Sequence, residues 1–160
     1  MSKKVALHNL GCKVNAYEVE AMQQLLEQAG YEIVPFQEGA DVYLINTCTV
    51  TNIADRKSRQ MLHKAKKMEA IVVAPGCYAQ TDTEKLKADT SVDLILGNNQ
   101  KNRIVEALAE YEKEHAKKAC VIEINKTKEY EELSIDHTAE HVRAYIKVQD
   151  GCNQFCTYCI

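Results

Sequence analysis

Cys152, Cys156 and Cys159 lie in the run Gly151-Cys152-Asn153-Gln154-Phe155-Cys156-Thr157-Tyr158-Cys159-Ile160, a Cys-x3-Cys-x2-Cys spacing with almost no apolar periodicity. Three thiolates on one tight loop suit a 4Fe–4S cube, because they hold three irons and leave the fourth open for chemistry, whereas a closed site recruits four. Two other readings use the same residues. Zinc would want a fourth ligand such as His137 or His141, and Cys156 with Cys159 alone would make a redox pair. The complete triplet, and its place after an expected strand, favour iron–sulfur.

The elements that would position this loop alternate in kind along the chain. Val5 to Asn9 reads as a strand ended by Leu10-Gly11-Cys12, and Asn15-Ala16-Tyr17-Glu18 has the form of a helix N-cap with its reciprocal glutamate. The helix carries Val19, Met22, Leu25, Leu26 and Ala29 at helical spacing and stops at Gly30. Strands are expected at Tyr31 to Phe36 and Asp41 to Asn46, then a helix from about Asn52 to Met68. Ala70 to Ala74 is an almost unbroken apolar run, as in a strand covered on both faces. A short polar helix, a strand at Val92 to Gly97, and a helix capped by Asn98 or Asn99 and bearing Ile104, Val105, Leu108 and Tyr111 complete the series. Such alternation predicts an α/β domain, flavodoxin-like, with a parallel sheet of about five strands and helices on both faces.

A short strand at Cys120 to Ile124 closes the first domain, 1–124; the polar stretch 125–141 reads as a linker, and Val142 to Gln149 as the first strand of a second domain, 142–160, cut off after the cysteine triplet.

Within that frame three further cysteines fall at matching places. Cys12, Cys48 and Cys77 each lie just past the carboxyl end of an expected parallel strand, and those ends share the edge at which open α/β sheets bind ligands. Gly11 and Gly76 precede two of them and permit close backbone approach. The helix N-termini that follow favour anionic sulfur. The fold reading thus predicts a second three-thiolate site, the alternative being three separate buried core thiols. Cys120, at an expected strand start without companions, reads as structural.

The spacing of the terminal triplet resembles that of the radical S-adenosylmethionine enzymes. Leu10-Gly11-Cys12-Lys13-Val14-Asn15, Asn46-Thr47-Cys48-Thr49-Val50-Thr51, Gly76-Cys77-Tyr78-Ala79-Gln80 and the triplet together resemble the methylthiotransferases of that superfamily over the whole chain. Thr49-Val50-Thr51 and Tyr78-Ala79-Gln80 are most similar to the branch acting on N6-threonylcarbamoyladenosine beside the tRNA anticodon; the isopentenyladenosine branch more usually has a serine and then an arginine in the second motif. The resemblance implies that Cys12, Cys48 and Cys77 bind an auxiliary 4Fe–4S cluster whose free iron carries the sulfur to be inserted. It implies that Cys152, Cys156 and Cys159 bind the catalytic 4Fe–4S cluster, which cleaves S-adenosylmethionine to a radical that takes hydrogen from adenine C2, while a second S-adenosylmethionine gives the methyl group. That C–H is neither acidic nor electrophilic, so the cofactors must carry the hard step. The barrel expected to hold S-adenosylmethionine and the RNA-binding domain are absent from these 160 residues. The chain by itself is therefore expected to be inactive.

Composition agrees with a globular fold: 46% apolar, 27% charged, six glycines and two prolines. The amino terminus is too short in apolar residues for an export signal or a membrane span, so a cytoplasmic protein without a membrane partner is expected. Seven cysteines then argue for ligands or reactive thiols rather than disulfides. A net charge of −3 gives no general attraction to nucleic acid and argues against DNA. The expected partners are tRNA in its anticodon region and an electron donor. Arg56, Lys57, Arg59, Lys64, Lys66 and Lys67 form the basic concentration, read first as a solvated helix face and second as phosphate contacts. Two alternatives of other classes are a non-catalytic iron–sulfur or zinc module and a flavodoxin-like binding domain with incidental thiols.

Overall fold

The computed structural model describes residues 2–49, 51–124, 127, 130–136, 145–149, 152, 154, 156 and 157. The chain runs β1 (Lys4–Asn9), α1 (Lys13–Gln28), β2 (Glu32–Val34), β3 (Val42–Asn46), α2 (Asn52–Lys66), β4 (Ile71–Pro75), α3 (Cys77–Thr81), α4 (Thr83–Ala88), β5 (Leu94–Leu96), α5 (Ile104–Glu114) and β6 (Lys118–Cys120). The six strands form one sheet in the order β2-β1-β3-β4-β5-β6. Every pairing is parallel.

The sheet is organised by β3, whose residues are all buried. Successive side chains of a strand point to opposite faces, and each face has a helical layer. Val42 and Leu44 pack with Met22, Leu26, Ile104 and Leu108 of α1 and α5. Tyr43 and Ile45 pack with Leu62, Ala65, Tyr78 and Leu86 of α2, α3 and α4. A fully buried Leu or Ile contributes roughly 1.5–3 kcal/mol, so a strand used on both faces is the one that reads as a continuous apolar run. From β1 the chain first crosses to β2 on one side and then returns to β3 on the other. The reversal lies between β1 and β3, whose ladder ends at Asn9 opposite Asn46. A crevice opens at the carboxyl ends of strands at such a reversal.

Several boundaries differ from the sequence expectation. The sheet has six strands rather than about five. β2 is only Glu32–Val34, because Pro35 has no amide to continue the ladder. β6 is Lys118–Cys120 rather than 120–124, pairing Leu96 with Cys120 where β5 ends; Cys120 therefore closes a strand instead of opening one. Asn15 lies inside the first turn of α1, whose N-cap is Cys12, so the capping-box reading of Asn15 and Glu18 fails and both side chains serve elsewhere. Neither Asn98 nor Asn99 caps α5. Asn99 takes a left-handed turn, a 3-10 turn at Lys101–Arg103 intervenes, and the Asn98 carboxamide accepts from the Lys101 ammonium at 2.8 Å. Residues 145–149 carry neither helix nor strand; a strand needs a neighbour to pair with, and no described strand adjoins them. Val142 to Ala144, also expected in that strand, lie outside the described residues. Among the described residues no helix is long and apolar enough to cross a membrane.

Candidate metal centre

Cys12, Cys48 and Cys77 follow β1, β3 and β4, three adjacent strands of the sheet. Neighbouring strands lie about 4.8 Å apart, so sheet order alone brings the three turns to one place at the carboxyl edge. Beyond the strand ends the ladder continues into the turns. Leu10 N donates to Asn46 O at 3.1 Å, Thr47 N to Pro75 O at 2.8 Å, and Cys77 N to Thr47 O at 3.1 Å.

The Thr47 carbonyl joins the three turns. It accepts from the Cys77 amide and, at 3.2 Å, from Asn15 Nδ2, while Asn15 Oδ1 accepts from the Cys12 thiol at 3.2 Å. The neighbouring Asn46 Nδ2 donates to the Asn15 carbonyl at 3.0 Å. Cys48 is held from behind, its amide donating to Ser58 Oγ of α2 at 3.2 Å. Buried polar groups of this kind are fixed because each unmade bond costs about 1–3 kcal/mol.

Two glycines let the turns close. Gly76 has φ +104, and a Cβ there would lie 2.4 Å from Asn46 Oδ1 and 2.5 Å from the Thr47 carbonyl oxygen. A Cβ at Gly11 would meet the Asn15 side chain at 2.3 Å. The three thiols differ in exposure: Cys48 is buried, Cys77 half-buried and Cys12 exposed. Burial pushes the Cys77 thiol up; the Lys101 ammonium opposes this, while Cys48, Glu18 and Cys12 add to the rise. A desolvated thiol near two others gains most from a metal that takes up its negative charge.

Among the described residues no group of three or more His, Cys, Asp or Glu side chains is gathered for a single metal ion. An iron–sulfur cube makes a different demand, since each thiolate binds its own iron. Three cysteines on adjacent strand ends, at an edge where α1 and α2 begin, fit that donor set. Of the terminal triplet, Cys152 and Cys156 are exposed; Cys159 lies outside the described residues, as do His137 and His141.

Sequence reasoning passed over a buried charge cluster on the same side of the sheet. Lys101 is 1% exposed, with Nζ 3.0 Å from Glu18 Oε2. Lys147 Nζ reaches Glu18 Oε1 at 3.3 Å. Glu131 Oε1 accepts from the Asn102 amide at 3.0 Å and from the Lys101 amide. Isolated lysines and glutamates in polar runs give no periodic signal, so nothing in their spacing marks them as buried. Of the residues read as branch-specific, Tyr78 is buried, and Gln80 donates to the Ile122 carbonyl and accepts from the Asn98 amide. Thr51 caps α2 through the Ala54 amide. Cys120 is buried at the end of β6, two strands beyond β4, away from the trio.

Fold and site define an open parallel α/β domain with a thiol-bearing carboxyl edge. A CheY-like response regulator receiver domain from Methanospirillum hungatei JF-1 matches it with a TM-score of 0.52 at 18% identity, covering 71% of this chain and 99% of that one, a likeness of fold alone. Residues 4–97 match the model of the uncharacterized protein family UPF0004, and the chain belongs to that family. Its relatives include two threonylcarbamoyladenosine tRNA methylthiotransferases. The one from Bacillus subtilis is 44% identical over 98% of this chain and 35% of its own length; that from Aquifex aeolicus is 45% identical over 98% and 39%. A tRNA-2-methylthio-N(6)-dimethylallyladenosine synthase from Anaplasma phagocytophilum is 32% identical over 100% of this chain and 37% of its own length. The chain thus spans little more than a third of the length of these relatives, and the resemblance to methylthiotransferases extends along all of it.

Proposed function

We propose that this chain supplies the sulfur-carrying site of a tRNA methylthiotransferase that acts at C2 of N6-threonylcarbamoyladenosine beside the anticodon. The observation that carries the reading is the convergence of Cys12, Cys48 and Cys77 on three adjacent strand ends, tied through the Thr47 carbonyl. Identities of 44% and 45% to two threonylcarbamoyladenosine enzymes, against 32% to the dimethylallyladenosine synthase, support the choice of base. Cys12, Cys48 and Cys77 would hold an auxiliary 4Fe–4S cluster, and Cys152, Cys156 and Cys159 a second. The bound clusters supply, with S-adenosylmethionine and an electron donor, radical cleavage of an unactivated C–H bond and a sulfur atom to put in its place.

The chain's own residues do the holding. Asn15 ties the start of α1 to the Cys48 turn through the Thr47 carbonyl and, while Cys12 is protonated, accepts from its thiol; Ser58 fixes Cys48 to α2, and the Lys101 charge favours the thiolate form of Cys77 against burial. With a tRNA as its substrate, the protein would act in the cytoplasm.

The test is a chimera in which this chain replaces the matching segment of the Bacillus subtilis relative, in cells lacking that relative. Mass spectrometry of tRNA nucleosides should then show 2-methylthio-N6-threonylcarbamoyladenosine, and Cys12→Ala in the chimera should abolish it. Methylthiolated dimethylallyladenosine in its place would move the proposal to the other base. A folded, iron-loaded chimera that modifies neither would overturn it.

A further inference from the structure

α2 presents a ridge of cations that the described residues leave without a carboxylate partner. Its buried side is Ser58, Leu62 and Ala65. On the exposed side Arg56, Gln60, Lys64 and Lys67 recur at intervals of four, four and three residues, the spacing that stacks side chains along one helix face about 6 Å apart. Lys57 flanks them. The other lysine and arginine of the helix are engaged, Arg59 with Asp55 at 2.9 Å and Lys66 with Asp93 at 2.8 Å, and His63 Nε2 lies 3.1 Å from Asp89 Oδ2. Around α5 the same neutralisation holds, Lys3 pairing with Glu112, Arg103 with Glu106 and Lys118 with Glu110. Arg56, Lys57, Lys64 and Lys67 pair with no carboxylate among the described residues. In a chain of net charge −3 such a concentration runs against the general balance.

We propose that this ridge is a phosphate-binding surface for a base-paired RNA stem, whose loop it delivers to the cysteine edge; the identity of the RNA as substrate rests on the function proposed above. Position and composition choose this partner. The ridge starts in the helix that opens just after the Cys48 turn and leads away from the edge, so a stem lying along it directs its loop toward the sulfur site. Asn52 to Lys67 contains no Phe, Tyr or Trp. Unpaired RNA is held by stacking on aromatic side chains, and protein partners are anchored by buried aromatic or arginine hot spots. Point charges spaced along a helix suffice for the backbone of a duplex, where contacts position without reading sequence.

The experiment is fluorescence anisotropy of a labelled RNA hairpin of anticodon-stem size with the 160-residue chain over a series of salt concentrations. Arg56→Gln/Lys64→Gln/Lys67→Gln is compared with Lys3→Gln/Lys113→Gln/Lys118→Gln, which removes the same charge around α5, each checked for the parent's circular dichroism. The ridge variant should bind at least about tenfold more weakly, and the slope of log affinity against log salt should shrink by about one for each lost contact. The α5 variant should stay within about twofold of the parent. Equal loss in both variants, or parent-like binding by the ridge variant, would overturn the proposal. So would intact RNA binding with loss of polyglutamate binding, which would assign the ridge to an acidic protein. Cys12→Ala/Cys48→Ala/Cys77→Ala should bind the hairpin like the parent, so failure of the ridge and failure of the sulfur site are read separately.

Discussion

Gly76 carries two constraints at once at the candidate centre. Its φ of +104 and ψ of −160 belong to a region open essentially to glycine alone, where other residues cost of order 1–3 kcal/mol. At Gly76 a Cβ also collides with the Thr47 backbone, 2.5 Å away. Gly30 makes a control, with φ +89 and nothing within 4 Å of the added atom. Gly76→Ala should therefore destabilise the chain by about 3 kcal/mol or more, and Gly30→Ala by only about 1 kcal/mol. Urea midpoints for the two variants check this; equal losses would mean that the close approach at Gly76 contributes nothing. The importance of Gly76 was legible in sequence because it precedes a cysteine in a turn. The role of Asn15 was not, since a cap and a cross-strand tie call for the same side chain and only the observed start of α1 at Lys13 separates them.

At the scale of elements, the alternating strands and helices were legible because β3 and β4 must bury both faces and so read as apolar runs. Strand ends were less so. β6 ends where β5 ceases to offer a partner, a fact about a neighbour that no local pattern contains. The packing of residues 130–136 was hidden for a related reason, since it depends on polar groups. Tyr17 donates to the Leu133 carbonyl at 2.7 Å, the Asp136 amide donates to Gln24 Oε1 at 2.8 Å, and Glu131 bonds the first turn after β5. Burial pushes the Glu131 carboxyl up, against Lys101 and the Asn102 and Lys101 amides, with Glu18 adding to the rise. A carboxyl raised on folding binds more protons folded than unfolded, so its favourable contribution is full below the ordinary glutamate value and is lost as pH rises through the raised value. Glu131→Gln keeps an amide acceptor and removes the titration. Relative to the parent, its stability should climb as pH rises above the ordinary glutamate value, as read from urea midpoints; a difference independent of pH would show that this carboxyl titrates alike in both states.

For the molecule as a whole, the sheet acts as a device for convergence. Residues 12, 48 and 77 are far apart in sequence, and the strand order β1-β3-β4 makes them neighbours. The same order puts the amino end of α2 beside Cys48, so the cysteine trio and the start of α2 share one edge. The family match over residues 4–97 covers all three cysteines, consistent with a site that belongs to the domain rather than to what surrounds it. The most direct test is anaerobic reconstitution of the 160-residue chain with iron and sulfide, followed by iron and sulfide counting and electron paramagnetic resonance, for the parent, Cys12→Ala/Cys48→Ala/Cys77→Ala, and Cys152→Ala/Cys156→Ala/Cys159→Ala. The account predicts a reducible cluster that survives loss of the terminal triplet and disappears with the strand-edge trio. A strand-edge variant that folds and keeps the parent's full iron content and spectrum would contradict it.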